Sequence, residues 1–310
     1  MVKPVRKVTL ALLVLALLSG CSAVSSYKIG SMPSRQPLPH ISIASPGGHI
    51  TASWINGVVL PGMGDLKSWE SATGEHPGMI ATFARFGATF PMPAVSQSLA
   101  AGAVPLIQLD PVGLSLAAIA HGSYDRQLHA YNTAIGSLHE PVVLSFGHEM
   151  NGTWYSWGCG NASPDLFREA WRHIHAIITA PDVTWMWTIN DVWSGDPCQL
   201  RAWYPGSAYV NWIGIDGYLR QTVTTFPTAF SRTLVQLHHL VRDKPIILAE
   251  TGVSLGPDWT QRLRSLYSGA RRAGFRGILY FDGSTSNGDY RPQDSPAALA
   301  AFRAVVRESS

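Results

Sequence analysis

The chain is 310 residues long, 46% hydrophobic and 14% charged, with 23 basic and 20 acidic residues. Three of the basic residues, Lys3, Arg6 and Lys7, stand among the first 20, so the remainder carries 20 of each sign. That balance gives no electrostatic reason to expect nucleic acid or an anionic membrane surface as partner, and the length suits one large domain better than two ordinary ones.

Taken in chain order, residues 1–20 read as an export signal. The three basic residues precede an almost wholly apolar run, residues 8–18, too short to span a bilayer. Leu18-Ser19-Gly20-Cys21 resembles a bacterial lipobox. Cleavage before Cys21 and acylation of it are expected, which would make an exported lipoprotein tethered on the extracytoplasmic side of a membrane. Plain secretion is the alternative. Residues 21–50 are rich in Ser, Pro and Gly and read as a flexible linker, leaving 51–310 as the folded domain.

Strand-like runs then alternate with helical ones. Strands are expected at 55–60, 79–86, 104–109, 141–147, 183–189, 211–215, 246–249 and 277–281. Helices are expected at 65–71, over 115–138 with a break near His121-Gly122, and at 165–179, 230–241, 259–273 and 296–306. Residues 87–102 show scattered glycines without the spacing of a phosphate-binding loop. Short apolar strands alternating with helices about eight times predict an α/β fold, a single (β/α)₈ TIM barrel. Chemistry in such a barrel belongs at the C-terminal strand ends, where this chain places His148, Glu149, Asn190, Asp191, Asp216, Tyr218, Glu250 and Asp282.

The segment PVVLSFGHEMNGTWYSWG, residues 141–158, is the most informative. A buried strand breaks into Glu149, with Trp154, Tyr155 and Trp157 close behind, and flat aromatic faces of this kind stack on sugar rings. An acid in apolar surroundings has its charged form disfavoured and is suited to donate a proton. A second apolar strand delivers Glu250 to its mouth. Carboxyl groups at the fourth and seventh strand ends can approach the roughly 5 Å that retaining glycoside hydrolysis needs. Tyr218 is positioned to hydrogen-bond Glu250 and hold it ionised. Asn190 and Asp191 are candidates for sugar-hydroxyl contacts, as are Asp216 beside Glu250 and Trp157 as an aromatic face. Trp185 and Trp187 project to one side of their strand and read as packing; Trp193, Trp203 and Tyr204 are placed to line a cleft. His173, His175, His238 and His239 are better explained as solvated or capping residues than as ligands, and no metal or cofactor is expected. Cys159 and Cys198, each in a loop after a predicted strand, form a disulfide on export or remain two buried thiols.

Four stretches together, HEMNGTWYSWG, IGIDGY, ILAETG and the terminal DYRPQDSPAALAAF, resemble glycoside hydrolase family 26, the β-mannanase family. The resemblance runs from about residue 55 to residue 302. It implies that Glu149 is the general acid/base, Glu250 the nucleophile, His148 a substrate-binding histidine, Trp154 a stacking platform and Tyr218 the nucleophile's partner. It implies a polysaccharide substrate, mannan or glucomannan before mixed-linkage β-glucan or β-1,3-xylan. Two positions depart from the family: Ser145 stands where many mannanases carry arginine, and Tyr280-Phe281 where tryptophan is usual. A monomer is expected. A lipid-anchored barrel that binds polysaccharide without turnover is the alternative.

Overall fold

The structure, a computed structural model, describes residues 43–45, 48–50, 54–60 and 65–309. The expected signal segment, Cys21 and most of the expected linker lie outside the described residues. Within the stretch read as linker, Ile43–Ser45 and Gly48–Ile50 pair as an antiparallel hairpin.

Eight parallel strands close into a barrel: β1 Ile55–Val59, β2 Met79–Arg85, β3 Val104–Asp110, β4 Val142–Phe146, β5 Val183–Asn190, β6 Trp212–Leu219, β7 Ile246–Val253 and β8 Gly277–Phe281. β8 pairs with both β7 and β1, from Gly277↔Ile55 to Phe281↔Val59, so no edge is left open. The helices are α1 Leu66–Thr73, α2 Met92–Ala100, α3 Leu116–Ala120, α4 Asp125–Gly136, α5 Pro164–Ile177, α6 Leu200–Trp203, α7 Phe226–Leu240, α8 Trp259–Arg272 and α9 Pro296–Ser309. This is the expected (β/α)₈ barrel.

Alternation along each strand sorts its side chains into two cores. In β4, Val142, Leu144 and Phe146 face outward into the shell of helices. Val143 faces inward and joins Ile55, Val59, Met79, Ala81, Leu106, Met186, Ile247 and Leu279 in the lumen. Because both faces are buried, four of the strand's five residues are apolar, and the strand is legible despite Ser145. Trp185 and Trp187 pack in the outer shell, at 4% and 0% exposure.

Four elements differ from expectation. α2 occupies a stretch read as glycine-punctuated loop, with Pro93 in its first turn, where the missing N–H costs nothing. α7 begins at Phe226, four residues before its expected start, because the Thr225 side chain accepts from the Thr228 amide and Pro227 follows at the second position. β6 and β7 run on to Leu219 and Val253, carrying Asp216, Tyr218 and Glu250 inside strands, not beyond them.

Candidate active site

The two glutamates reach the mouth by different backbone devices. After β4 the chain turns through Gly147 and Glu149 in the left-handed region, at φ 55° and 52°. For glutamate this conformation is strained, and such strain persists only where the surroundings fix it. Here the Glu149 amide donates to the Thr188 carbonyl of β5 at 3.0 Å and its carbonyl accepts from Gly152 at 2.8 Å. A β-carbon on Gly147 would lie 3.0 Å from the Phe167 ring and 3.1 Å from Trp157, so the close approach requires glycine.

Glu250 uses a bulge. Ile215 pairs with Leu248 and Asp216 with Glu250, leaving Ala249 as an extra residue on β7. Ala249 fills the lumen, and the bulge then brings its neighbour Glu250 round to the mouth instead of outward.

Around Glu149 the contacts form a chain. The Trp154 indole N–H donates to Glu149 Oε2 at 2.8 Å. His148 is buried; its Nδ1 donates to Asp110 Oδ1 at 2.7 Å and its Nε2 lies 3.1 Å from the Tyr155 hydroxyl. Burial, the largest influence on His148, disfavours its charged form, but the Asp110 bond and the surrounding carboxylates outweigh it and raise the pKa. Burial pushes Glu149 up to about 7; the His148 charge opposes this and the Glu250 charge adds to it. Glu250 is raised by burial and drawn back by the Tyr218 hydroxyl that donates to its Oε1 and by His148. Tyr218, Phe281 and Tyr290 form a ring cluster beside it, with centroids 4.7 to 5.9 Å apart.

Other expected site residues are placed differently. Trp157, expected against substrate, is 3% exposed; its indole donates to the His148 carbonyl and its ring stacks on Tyr155 at 4.3 Å. It props the histidine from below. Asp216, also expected against substrate, has no exposed surface, because β6 continues past it and turns it into the lumen. Burial and the charges of Glu250 and Glu149 raise its pKa well above the carboxylate range. Asn190 is half-buried at the rim and donates to the Asp191 carbonyl. Ser145 lies in the lumen bonded to Thr188, so the departure there is in the barrel interior and not on the rim. Trp203, expected to line a cleft, is 2% exposed in the outer shell. Cys159 and Cys198 are joined by a disulfide, with Cα atoms 6.2 Å apart.

Two contributors were missed. Asp110 ends β3 as Glu149 follows β4, so the same strand-end signal was available for it. Phe83, at the end of β2, stands 41% exposed with its ring 5.1 Å from His148, and no local motif marks it.

A family model described as glycosyl hydrolase family 26 matches residues 124–244. That match covers 121 of the chain's 310 residues. The matched stretch holds Glu149, Trp154 and Tyr218; Glu250 lies just beyond it. Among relatives, Endoglucanase H of Acetivibrio thermocellus is 26% identical over 277 residues, 83% of this chain and 30% of that protein. A beta-1,3-xylanase of an Alcaligenes species is 26% identical over 106 residues, 33% of this chain and 22% of that protein. This chain therefore spans less than a third of the length of either. In fold, a Cellulomonas fimi endo-beta-1,4-mannanase double mutant superimposes with a TM-score of 0.63 at 17% identity, covering 81% of this chain and 70% of that one.

Proposed function

We propose that this protein is a member of glycosyl hydrolase family 26 and a retaining endo-β-glycanase, with Glu250 as nucleophile and Glu149 as acid/base. The observation that carries this is the contrast between the two carboxyls. Glu149, held up to about 7, keeps its proton near neutrality, while Glu250 accepts a hydrogen bond from Tyr218 that favours its ionised form. Glu250 attacks the anomeric carbon as Glu149 protonates the departing oxygen. Glu149 then deprotonates the water that hydrolyses the glycosyl-enzyme. His148, held by Asp110, limits how far Glu149 rises. A barrel that only binds polysaccharide has no use for two half-buried carboxyls set against each other.

The substrate proposed from the mannanase resemblance is β-1,4-mannan or glucomannan. A glucan is the second reading, favoured because the endoglucanase relative aligns over 83% of this chain. Reducing-end release on mannan, glucomannan, barley glucan and β-1,3-xylan separates them. For the mechanism, Glu149→Ala mixed with an activated aryl glycoside should gain one glycosyl unit in intact mass, mapping to Glu250. In Glu250→Ala treated the same way, a sugar trapped on Glu149 would reverse the roles.

We further propose export and anchoring through acylated Cys21, which the Cys159–Cys198 disulfide supports, since such bonds persist in oxidising compartments. Cys21→Ser should then release the protein from the membrane fraction; full retention would sink the anchor.

A further inference from the structure

Among the described residues, the exposed large hydrophobic side chains are Phe83, Val112, Trp154, Trp193 and Val235. Val235 stands alone on α7. Of the other four, Phe83 lies near the C-terminal end of β2 and Val112, Trp154 and Trp193 follow β3, β4 and β5; two of them are paired. Trp154 and Trp193 are 49% and 41% exposed, with ring planes 26° apart and centroids 6.2 Å apart, within the range of displaced aromatic pairs. They come from different loops, one after β4 and one after β5.

Each tryptophan stands five residues ahead of a half-cystine, Trp154 before Cys159 and Trp193 before Cys198. The disulfide therefore ties together the loops that carry the two rings. Each end is also fixed locally: the Cys159 amide donates to the Met150 carbonyl at 2.9 Å, and the Cys198 amide to Asp196 Oδ1 at 2.9 Å. Two indoles left in water on bridged loops cost solvation that folding alone does not recover.

The Trp154 N–H on Glu149 Oε2 gives the pair its direction. The group that protonates the departing oxygen lies beside the leaving sugar, so a ring bonded to it flanks the leaving-group side. We propose that Trp154 and Trp193 form one two-ring platform for the sugars on the leaving-group side of the cleaved bond, with the Cys159–Cys198 bridge setting the rings' spacing. This rests on the reading of Glu149 as acid/base. Trp193 is then a specificity residue for the sugars beyond the cut, because its ring adjoins the one bonded to the acid.

The test compares two kinds of substrate. Mannohexaose and cellohexaose fill the leaving-group side with sugar. β-Mannobiosyl and β-cellobiosyl fluoride have a leaving group too small to reach either ring. Trp193→Ala should lower kcat/KM on the hexasaccharide the wild type cleaves at least about tenfold more than on the matching fluoride. Trp193→Phe should restore most of the difference. A C159A/C198A double variant should shift the same ratio in the same direction but less, while Val235→Ser should leave both rates alone. Equal losses on both substrates for Trp193→Ala, or none on either, overturn the platform. If the wild type cleaves neither of these but does cleave barley glucan or β-1,3-xylan, the comparison is made on hexasaccharides of that polysaccharide; if it cleaves none of them, the acid/base reading fails. The platform is then decided by titrating mannohexaose and cellohexaose against tryptophan fluorescence: binding lost in Trp193→Ala upholds it, and binding unchanged or absent in both proteins removes it.

Discussion

The two sides of the barrel mouth are built to opposite specifications. Over β2 to β5, the rim is open and apolar: Phe83, Val112, Trp154 and Trp193 are each more than 40% exposed, with Glu149 among them. Over β6 to β8, the aromatics turn inward: Tyr218 and Phe281 are half-buried, Tyr290 is 1% exposed, and Tyr218 is bonded to Glu250. The first arrangement lets a partner come and go across a wetted face. The second excludes water and fixes one carboxyl. In a double displacement the leaving sugar and the incoming water both pass the acid/base, whereas the covalent intermediate must be shielded, so the asymmetry matches the division of labour proposed for the glutamates.

The largest effect should come from the glutamates themselves. Glu149→Ala and Glu250→Ala should each lower turnover on polysaccharide by about four powers of ten or more. They should differ in kind. Glu149→Ala keeps activity on an aryl glycoside with a good leaving group, and added azide restores its second step and yields a β-glycosyl azide. Glu250→Ala should respond to neither. Identical behaviour of the two variants would erase the distinction between the sides.

Next in size is the bridge on the open side. Cys159 and Cys198 are 39 residues apart in sequence, and removing a bridge of that span costs on the order of 2–4 kcal/mol by loop-closure arguments. The C159A/C198A variant should therefore melt several degrees lower, checked by circular dichroism. A melting temperature equal to the wild type would show that the other loop contacts suffice.

On the shielded side, Tyr218→Phe should cost about 100-fold in kcat/KM, the lower end for loss of a single donor to a reacting group. The loss should persist on an activated aryl glycoside, because it acts through the nucleophile and not through leaving-group protonation. Recovery on the activated substrate would assign Tyr218 to the other half-reaction.

Much of this plan was legible in the sequence, and the misses have physical causes. The strands were visible because residues buried on both faces make apolar runs, as in 246–249. Glu149 and Glu250 stood out as acids at the ends of such runs. Sequence spacing did not show which way a side chain faces after a bulge or a left-handed turn. Asp216 and Glu250 are register partners, yet one is sealed in the lumen and the other reaches the mouth. Trp154 and Trp157 are three residues apart in one loop, yet one is exposed and the other lies beneath His148. Local patterns set the strands; loop closure set the directions.

The smallest effect concerns stability rather than rate, and it again separates the two sides. Glu149 is raised from 4.5 to about 7, chiefly by burial. Between those values the native state binds a proton that the unfolded chain has released, so the unfolded state holds fewer protons and stability falls as pH rises through the window. Above about 7 the full penalty of the buried charge is in place; below 4.5 it is absent. Glu149→Gln removes that penalty while keeping the shape. The variant should match the wild type in unfolding free energy at pH 4 and exceed it at pH 8, by an amount on the order of 1 kcal/mol because the carboxyl stays half-open to solvent. Glu250→Gln should gain less at pH 8, since the ionised form there already has a hydrogen bond from Tyr218, and the amide forfeits part of it. A larger gain at Glu250 than at Glu149 would mean that the shielded carboxyl, not the open one, holds the proton near neutrality.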